Sequence, residues 1–473
     1  MTRPIARNAA LLGVSALFVT LLSGTTSPLR PWFGGDSAMF RLIGTAMAQG
    51  QTLYVDIWDH KGPGLFVIQW LAQVLVPGRI GIFILQILFL YATLALLYAM
   101  TRRMTGAVGA WTVIAASIAF LAPAYEHGNL SEEYSLPFIA LAMFVLTREW
   151  MTQREARLWW FAAAGAAFGY VVFIRINNAL PIFGMFLAFF VWTLVRRRRL
   201  WAPLLASLAG FVVVCGAFLL GFAIVGALDE MIDGTFLFSA AYRGNEVITL
   251  DRIFVNGFVY LAIIGIFAPL VGGFVDAQFR KRGRFLLLGW ILAASTAGAL
   301  LLSTTGYFHY LQVAVPGVAL GVALALQPVT GRLRLHVLAA ALIVAVALVW
   351  TMSGREAAAQ VRANEPAYTA DVEDILAGVP ESEHQGVYGW NLDARFFLNA
   401  GTLPVQRYFT MQEWWGSNDP RVLDESLGFV EEERPEWIVA TSVGDERMQA
   451  ILARDYAEVA RNDRFVLYES TGR

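Results

Sequence analysis

Apolar residues dominate the chain in long runs, and short polar stretches separate one run from the next. A helix of about 20 apolar residues crosses a bilayer, so each long run predicts a membrane span. Runs of this kind cover 8–26, 80–101, 106–123, 133–147, 158–174, 179–195, 201–226, 253–275, 285–303, 310–326 and 335–352. The fourth run is short and needs extension or tilt to cross, so we predict about eleven spans.

The stretch 27–79 separates the first two spans and is long for a connector between membrane helices. In its segments SAMFRLIGTAMAQG and LFVIQWLAQVLV apolar residues recur at the spacing of an amphipathic helix. Polar groups at a bilayer surface indicate a functional site, so we predict that the reaction centre lies in this stretch.

From residue 353 the pattern changes, because charged residues return and the apolar runs become short. The segments GVYGW, VQRYF, WIVATS and RFVLYES read as strands, and 368–377 and 446–456 read as helices. Strands that alternate with helices indicate an α/β domain. We therefore predict a mainly α protein: a polytopic transmembrane bundle over 1–352 and a small extracytoplasmic α/β domain over 353–473.

Composition agrees with this class, since 57% of the 473 residues are apolar and only 15% are charged. The single cysteine, Cys215, excludes an internal disulfide and a cysteine-rich metal site. A net charge of −1 gives no reason to expect a nucleic-acid partner. The N-terminal run has no clear cleavage site after it, so an uncleaved first span is expected.

Basic residues orient the spans, because cytoplasmic loops carry an excess of Lys and Arg. With the N-terminus inside, the inner segments hold 17 basic residues and the outer segments before the tail hold 7. The expected location is the cytoplasmic membrane, crossed many times, with the N-terminus cytoplasmic and the C-terminal domain outside. Nearly every conspicuous polar cluster then faces the outer side.

Asp36 follows Gly34-Gly35 at the outer end of the first span and begins a helical pattern. An acid at this position caps a helix and interacts favourably with its dipole. It could equally act as a general base toward an acceptor hydroxyl. Position alone leaves both interpretations open.

The segment YVDIWDHKGPGLF, residues 54–66, places Asp59, His60 and Lys61 before a Gly-Pro-Gly turn. Lys61 is a point charge suited to a phosphate at the outer leaflet. The alternative is an interfacial lysine whose stem lies along apolar surface. Because acids, a histidine and a turn lie next to Lys61, phosphate binding is the favoured interpretation.

Together these features resemble the GT-C glycosyltransferases, most closely the branch of the protein O-mannosyltransferases and the bacterial aminoarabinose transferases of lipid A. Asp36 matches the family's catalytic acid, and Asp59-His60-Lys61-Gly62-Pro63 matches its acid-Lys-Pro-Pro turn. Two differences stand out: Ser37 replaces a second acid found in many members, and Gly62 replaces a proline.

The resemblance implies an inverting glycosyltransferase whose partners are the bilayer, a polyprenyl-phosphate sugar donor and an extracytoplasmic acceptor that is a glycan, lipid or protein. Asp36 would deprotonate the acceptor hydroxyl. Lys61, Arg175 and His309 would stabilise the leaving phosphate.

Other outer segments carry candidate donor-binding residues. The family's second acidic motif lies in a loop comparable to AYEHGNLSEEY, which leaves Glu126, Glu132 and Glu133 open. Glu132 or Glu133 is our choice, and a solvated acidic loop is the alternative. Arg175 and, more weakly, Arg243 could bind the lipid phosphate; pairing of Arg175 with an outer-loop acid is the alternative. In Tyr307-Phe308-His309-Tyr310, the residues His309 and Tyr310 match an aromatic-basic-Tyr signature, and an interfacial aromatic belt is the alternative.

Alternatives remain for the cofactor and for the class of function. The sequence identifies no certain cofactor, and a divalent cation bound by imidazole and carboxylate remains open, with His60, His127 and His309 all facing outward. A transporter or polyprenyl-lipid flippase would also need many spans, but it predicts ionisable residues near span centres, which are nearly free of them. A sensor or scaffold with a ligand-binding tail would leave the 27–79 segment without a role.

Overall fold

A computed structural model describes residues 2–30, 32, 34–152, 157–196, 201–240, 258–302 and 306–472. The first helices in chain order are α1 (Thr2–Leu22), α2 (Gly35–Ala48), α3 (Pro63–Leu75), α4 (Arg79–Ala124), α5 (Ser131–Thr152), α6 (Leu158–Ile174), α7 (Leu180–Val195), α8 (Trp201–Ile224) and α9 (Leu228–Ile232). They are followed by α10 (Phe258–Arg280), α11 (Gly283–Leu301), α12 (Val315–Leu326), α13 (Arg332–Ala363), α14 (Glu365–Leu376), α15 (Ala394–Ala400), α16 (Gln412–Asn418), α17 (Pro420–Glu433) and α18 (Glu446–Asp455).

Eight helices in the described ranges are long and apolar enough to cross a membrane by length and composition. Helix α4 contains non-helical backbone at Gly106, where φ is 75°, and this break separates two of the predicted runs. Helices α5 and α6 hold two further predicted runs, although neither belongs to the eight. Every predicted run thus overlaps a helix, while the number eleven stays a prediction.

The chain divides into two compact units. The first unit comprises Met1–Ser23, Phe83–Leu220 and Val247–Ala357. The second comprises Gly24–Ile82, Gly221–Glu246 and Ala358–Arg473, so the first outer segment and the tail belong to the same unit. The domain boundary predicted at residue 352 lies inside α13, which continues to Ala363.

Small residues bring the helices of the first unit close together. A Cβ atom at Gly210 of α8 would lie 1.9 Å from the carbonyl oxygen of Ala162 in α6. A Cβ atom at Gly272 of α10 would likewise lie 2.3 Å from the carbonyl oxygen of Gly321 in α12. Contact between helix backbones at glycine is typical of membrane bundles, where tight packing replaces the hydrophobic effect as the force between helices.

In the second unit, α2 and α3 form an amphipathic pair, as the patterning predicts, and they contact closely at Gly44 and Gln69. Short helix α9 continues as one turn of π-helix over Asp233–Leu237. Such turns are rare and occur often at functional sites.

The tail forms a four-stranded sheet with strands β1 (Tyr388–Trp390), β2 (Trp437–Ala440), β3 (Tyr456–Arg461) and β4 (Val466–Ser470) in the order β1-β2-β4-β3. Strands β1 and β2 run parallel, with Tyr388 opposite Ile438, and the other two pairs are antiparallel. Helices α14 and α18 match the two predicted helical stretches.

The predicted strand VQRYF is wrong, since the described residues 405–409 form no strand. The carbonyl oxygen of Arg407 instead accepts a hydrogen bond of 3.1 Å from the Trp58 N–H. Tyr408 packs edge-on against the Trp58 ring at 5.1 Å. The Arg407 carbonyl, which a β-strand would bond to a neighbouring strand, is therefore bonded to the first outer segment instead.

Candidate active site

Four residues of the first outer segment, Asp36, Asp59, His60 and Lys61, come together in the second unit, and we call them the loop-1 cluster. Asp36 lies in the first turn of α2, after Gly34, whose φ of 66° favours glycine. Lys61 precedes the Gly62-Pro63 start of α3, where proline at the first helical position fixes the turn. The two helix starts present the acid and the lysine to each other.

Lys61 lies between two carboxylates. Its Nζ is 3.7 Å from Oδ2 of Asp36 and 3.6 Å from Oδ1 of Asp59. The ammonium also lies over the ring of Phe40, 4.8 Å from its centroid. The Asp59 side chain is 0% exposed, whereas the Asp36 side chain is 49% exposed. Asp59 therefore anchors the lysine, and Asp36 is the acid that a solute can reach.

Asp59 is ionised at neutral pH despite its burial. Burial alone would raise the pKa of this carboxyl, but the charges of Lys61 and His60 and the hydrogen bonds from these residues lower the pKa to about 2. One of these bonds is the Lys61 backbone N–H, which donates to Oδ1 at 2.8 Å. A carboxylate held so far below neutral pH is a poor proton acceptor.

Aromatic rings surround His60. Its ring centroid lies 5.0 Å from that of Trp415 and 6.1 Å from that of Phe238. Trp58 packs edge-on against both rings, at 5.5 and 4.8 Å. A side chain enclosed in this way is held rather than mobile.

The backbone of the cluster is fixed from two sides. The fully buried Tyr54 hydroxyl donates to the Lys61 carbonyl at 2.6 Å and lies 3.1 Å from the Thr235 hydroxyl of the π-helical turn. Ser239 donates to the His60 carbonyl at 3.3 Å. Segment 233–239 therefore holds in place the loop that presents Lys61.

A second group of predicted residues comes together in the first unit, where Arg175 caps α6. Its Nη1 donates to Oε1 of Glu132 at 2.7 Å, and its Cζ lies 4.4 Å from the Tyr310 ring centroid. Burial would lower the pKa of Arg175, but Tyr310 and Glu132 outweigh it and raise the pKa above its usual value. The pairing with an outer-loop acid that sequence reasoning left open is therefore present.

His309 has a partner that sequence reasoning did not assign, namely Glu126. The His309 ring Nδ1 is hydrogen-bonded to Oε2 of Glu126, and the Phe308 and His309 backbone N–H groups donate to the same carboxylate at 3.2 and 3.1 Å. Burial would raise the pKa of Glu126, but these bonds and the charge of His309 lower it. Position in an acidic outer loop was the only signal for Glu126.

Glu133 serves as an internal anchor of that loop. Its carboxylate accepts bonds from the Tyr125 hydroxyl at 2.5 Å, from Gln86 Nε2 at 3.0 Å and from the Asn129 N–H at 2.9 Å. The four residues of the loop have positive φ: Glu126 37°, His127 69°, Gly128 75° and Asn129 61°. Such backbone persists only where its surroundings fix it, and buried Glu133 does so here.

The remaining predictions are placed as follows. Arg243 lies outside the described residues. His127 bonds through Nδ1 to Oε2 of Glu356 at 2.6 Å. In the ranges that the structure describes, no three His, Cys, Asp or Glu side chains group as a metal site would need. The divalent cation stays a prediction.

Comparison with known proteins gives one sequence match and several structural matches. The family model of the dolichyl-phosphate-mannose-protein mannosyltransferases matches residues 60–220. No curated protein matches the chain.

Two structures of ArnT from Cupriavidus metallidurans, one bound to undecaprenyl phosphate and one apo, are each 15% identical to the chain and align over 99% of it and 98% of their own length, with TM-scores of 0.66 and 0.67. The oligosaccharyltransferase AglB of Archaeoglobus fulgidus, in complex with an inhibitory peptide and a dolichol-phosphate, is 13% identical, aligns over 100% of this chain and 75% of its own, and has a TM-score of 0.52.

The structural matches share the fold over nearly the whole chain, including the sheet at its C-terminal end. The shared fold and the long apolar helices indicate a multi-pass membrane protein. The resemblance expected from the loop-1 residues is confirmed: the chain has the fold of ArnT and resembles GT-C glycosyltransferases of the ArnT and protein mannosyltransferase branch.

Proposed function

We propose that the protein is an inverting glycosyltransferase that moves a sugar from a polyprenyl-phosphate donor to the hydroxyl group of an extracytoplasmic acceptor. The observation that carries the proposal is Lys61, whose ammonium lies within 3.7 Å of both an exposed and a buried carboxylate. The matched ArnT structure with undecaprenyl phosphate supports a donor of this chemical class.

The reaction is a single displacement at the anomeric carbon. The acceptor oxygen gives its proton to Asp36 and forms a bond to that carbon, while the bond from the carbon to the phosphate oxygen breaks. The polyprenyl phosphate leaves with the electron pair. Because one displacement takes place, the configuration at the anomeric carbon inverts.

Lys61 stabilises the charge that grows on the leaving phosphate. Its side chain is 10% exposed, so its charge acts in a poorly hydrated site, where an ion pair is worth more than in water. Asp59 holds the ammonium from the buried side while the phosphate takes the position beside Asp36. A phosphate monoester leaves readily as an anion at neutral pH, so this site needs no strong general acid.

Arg175 and His309 keep the donor-binding role that the resemblance implies, as a proposal. Arg175 is a permanent cation with a 21% exposed side chain, so it can bind a further anion while paired with Glu132. The excess of basic residues in the inner segments supports a cytoplasmic N-terminus and an outer C-terminal portion in the cytoplasmic membrane.

Purified protein in detergent, incubated with a panel of radiolabelled undecaprenyl-phosphate sugars and a cell-envelope extract, tests the proposal. Wild type should transfer label from at least one donor, and Asp36→Asn should lower the rate at least about 100-fold, as loss of a general base does. Asp56→Asn is the matched control: this acid of the same segment accepts the Thr52 N–H at 2.6 Å, and the amide oxygen of Asn can do the same.

Equal activity of Asp36→Asn and wild type would overturn the catalytic assignment. Movement of the lipid across proteoliposome membranes without sugar transfer would instead establish the flippase alternative.

A further inference from the structure

A cavity of about 550 Å³ opens beside Asp36 within the second unit. One wall is the start of α2, with Asp36 and Met39. The other walls belong to the C-terminal α/β portion, including Asn391, Met411, Thr441 and Phe465. The C-terminal portion therefore shares a cavity with the proposed general base.

The cavity lies at the carboxyl edge of the parallel strands. Asn391 directly follows β1 and Thr441 directly follows β2, and these two strands are neighbours. Ligands of open α/β sheets bind outside the carboxyl ends of parallel strands, because the connecting loops diverge there and leave a crevice.

Hydrogen bonds hold this edge in one shape. The Thr441 hydroxyl donates to the Asn391 carbonyl at 2.7 Å, and the Asn391 side-chain amide donates to the Ser442 carbonyl at 3.1 Å. Asn391 has a φ of 54°, an unusual value for a residue other than glycine. A preformed crevice of this kind loses little freedom on binding, which favours affinity.

The chemistry of the walls fits a sugar. Met39, Met411 and Phe465 offer apolar surface to the C–H faces of a pyranose ring. Asp36 and Thr441 offer polar groups to its hydroxyls, and so do the charged residues of the lining, Asp393, Arg395, Asp463 and Arg464. The volume lies in the usual range of small-molecule sites, roughly 300–1,000 Å³.

Other acceptor classes fit less well. An extended peptide usually binds by adding a strand beside a sheet edge. The cavity instead lies at the strand ends, away from the open sides of edge strands β1 and β3. An acyl chain needs a continuous apolar lining, which Asp36, Asn391 and Thr441 interrupt.

We propose that this cavity binds the acceptor, that the acceptor is a saccharide, and that one of its hydroxyl groups is presented to Asp36. The proposal rests on the glycosyl transfer proposed above and adds the acceptor class and its binding residues. The C-terminal portion then selects the acceptor, while the loop-1 cluster binds the donor phosphate.

Substitution at the rim of the cavity tests this assignment. Thr441→Trp places an indole in the cavity from an exposed position, and Ser442→Trp places the same ring one residue further on, where the side chain does not line the cavity. Met411→Trp fills the cavity from a different segment, at a side chain that is 42% exposed. Thermal unfolding of each variant establishes that it is folded.

Each variant is supplied with the undecaprenyl-phosphate sugar that wild type uses, together with octyl glycosides of several hexoses or a Ser/Thr peptide. Two products are measured: label on the acceptor and free sugar released when water replaces the acceptor. We expect wild type to label octyl glycosides. The ratio of transfer to release should fall at least tenfold in Thr441→Trp and Met411→Trp, with a raised KM for the glycoside, and should not change in Ser442→Trp.

Two results would overturn the proposal: an unchanged ratio in both filled variants, or labelling of the peptide in preference to every glycoside. Failure of the wild type to transfer or release sugar from any donor would refute the proposed function itself. The release assay therefore separates the two failures.

Discussion

Lys61 allows a comparison between two acids at nearly equal distance from one ammonium, 3.6 Å for Asp59 and 3.7 Å for Asp36. They differ in burial, and burial should decide how much each contributes to stability. The difference between the ordinary pKa of 3.8 and the value of about 2 in the folded protein corresponds to about 2 kcal/mol for Asp59. The exposed pair should contribute less than about 1 kcal/mol.

Asp59→Asn should therefore destabilise the second unit by about 2 kcal/mol or more at pH 7, because it removes the buried counter-charge of Lys61 and His60. Asp36→Asn should change stability much less. Thermal unfolding in detergent, followed by intrinsic tryptophan fluorescence, measures both against wild type. Trp415 lies against His60 and Trp58 packs against Trp415, so both rings report on this unit.

The stability that Asp59 contributes should decrease as the pH falls. Because the folded-state pKa of Asp59 lies below its ordinary value, its stabilisation is complete above about pH 4 and is lost as the pH falls through about 2. The gap in Tm between wild type and Asp59→Asn should therefore not narrow between pH 8 and pH 5, and should narrow only in stronger acid. Equal destabilisation by Asp36→Asn and Asp59→Asn, or a gap that closes near pH 6, would refute the reasoning.

Two further predictions concern residues that position the candidate sites. Tyr54→Phe removes the hydroxyl that joins the Lys61 carbonyl to Thr235, so it should lower the free energy of unfolding by about 1 kcal/mol and lower kcat for sugar release. A double-mutant cycle with Thr235→Val should give a coupling free energy that differs from zero. Glu133→Gln turns an amide NH₂ toward one of the three groups that donate to this carboxylate, so it should lower the free energy of unfolding by about 1–3 kcal/mol. It should also speed amide hydrogen exchange at Gly128 and Asn129, and unchanged exchange there would contradict the anchoring role of Glu133.

The helices could be predicted from the sequence because the signal for a membrane span is local. A run such as 201–226 must satisfy its backbone groups within one segment, so apolar length alone predicts a helix, and α8 extends over Trp201–Ile224. The strand signal is weaker, since a β-strand depends on its neighbours. Residues 405–409 have strand-like composition, but the Arg407 carbonyl bonds to Trp58, more than 300 residues earlier in the chain.

The family pattern places Asp36 and Lys61 in one reaction centre, and the position of Arg175 at the end of an apolar run indicates an outer-loop acid as its alternative partner. The Glu126–His309 pair joins two loops separated by 183 residues, and no spacing in the sequence connects them. The π-helical turn at Asp233–Leu237 could not be foreseen either, because its support of the Lys61 loop depends on a tertiary contact through Tyr54.

Burial also distinguishes the roles of Asp36 and Asp59. A general base must reach the acceptor and accept its proton near neutral pH. Asp59 meets neither condition, because it is fully buried and its pKa is about 2. Asp36 is half exposed and opens onto a cavity that the C-terminal portion completes. In the proposed reaction Asp59 therefore anchors Lys61, and the donor phosphate displaces Asp36 from the lysine, which leaves Asp36 to act as the base toward the acceptor.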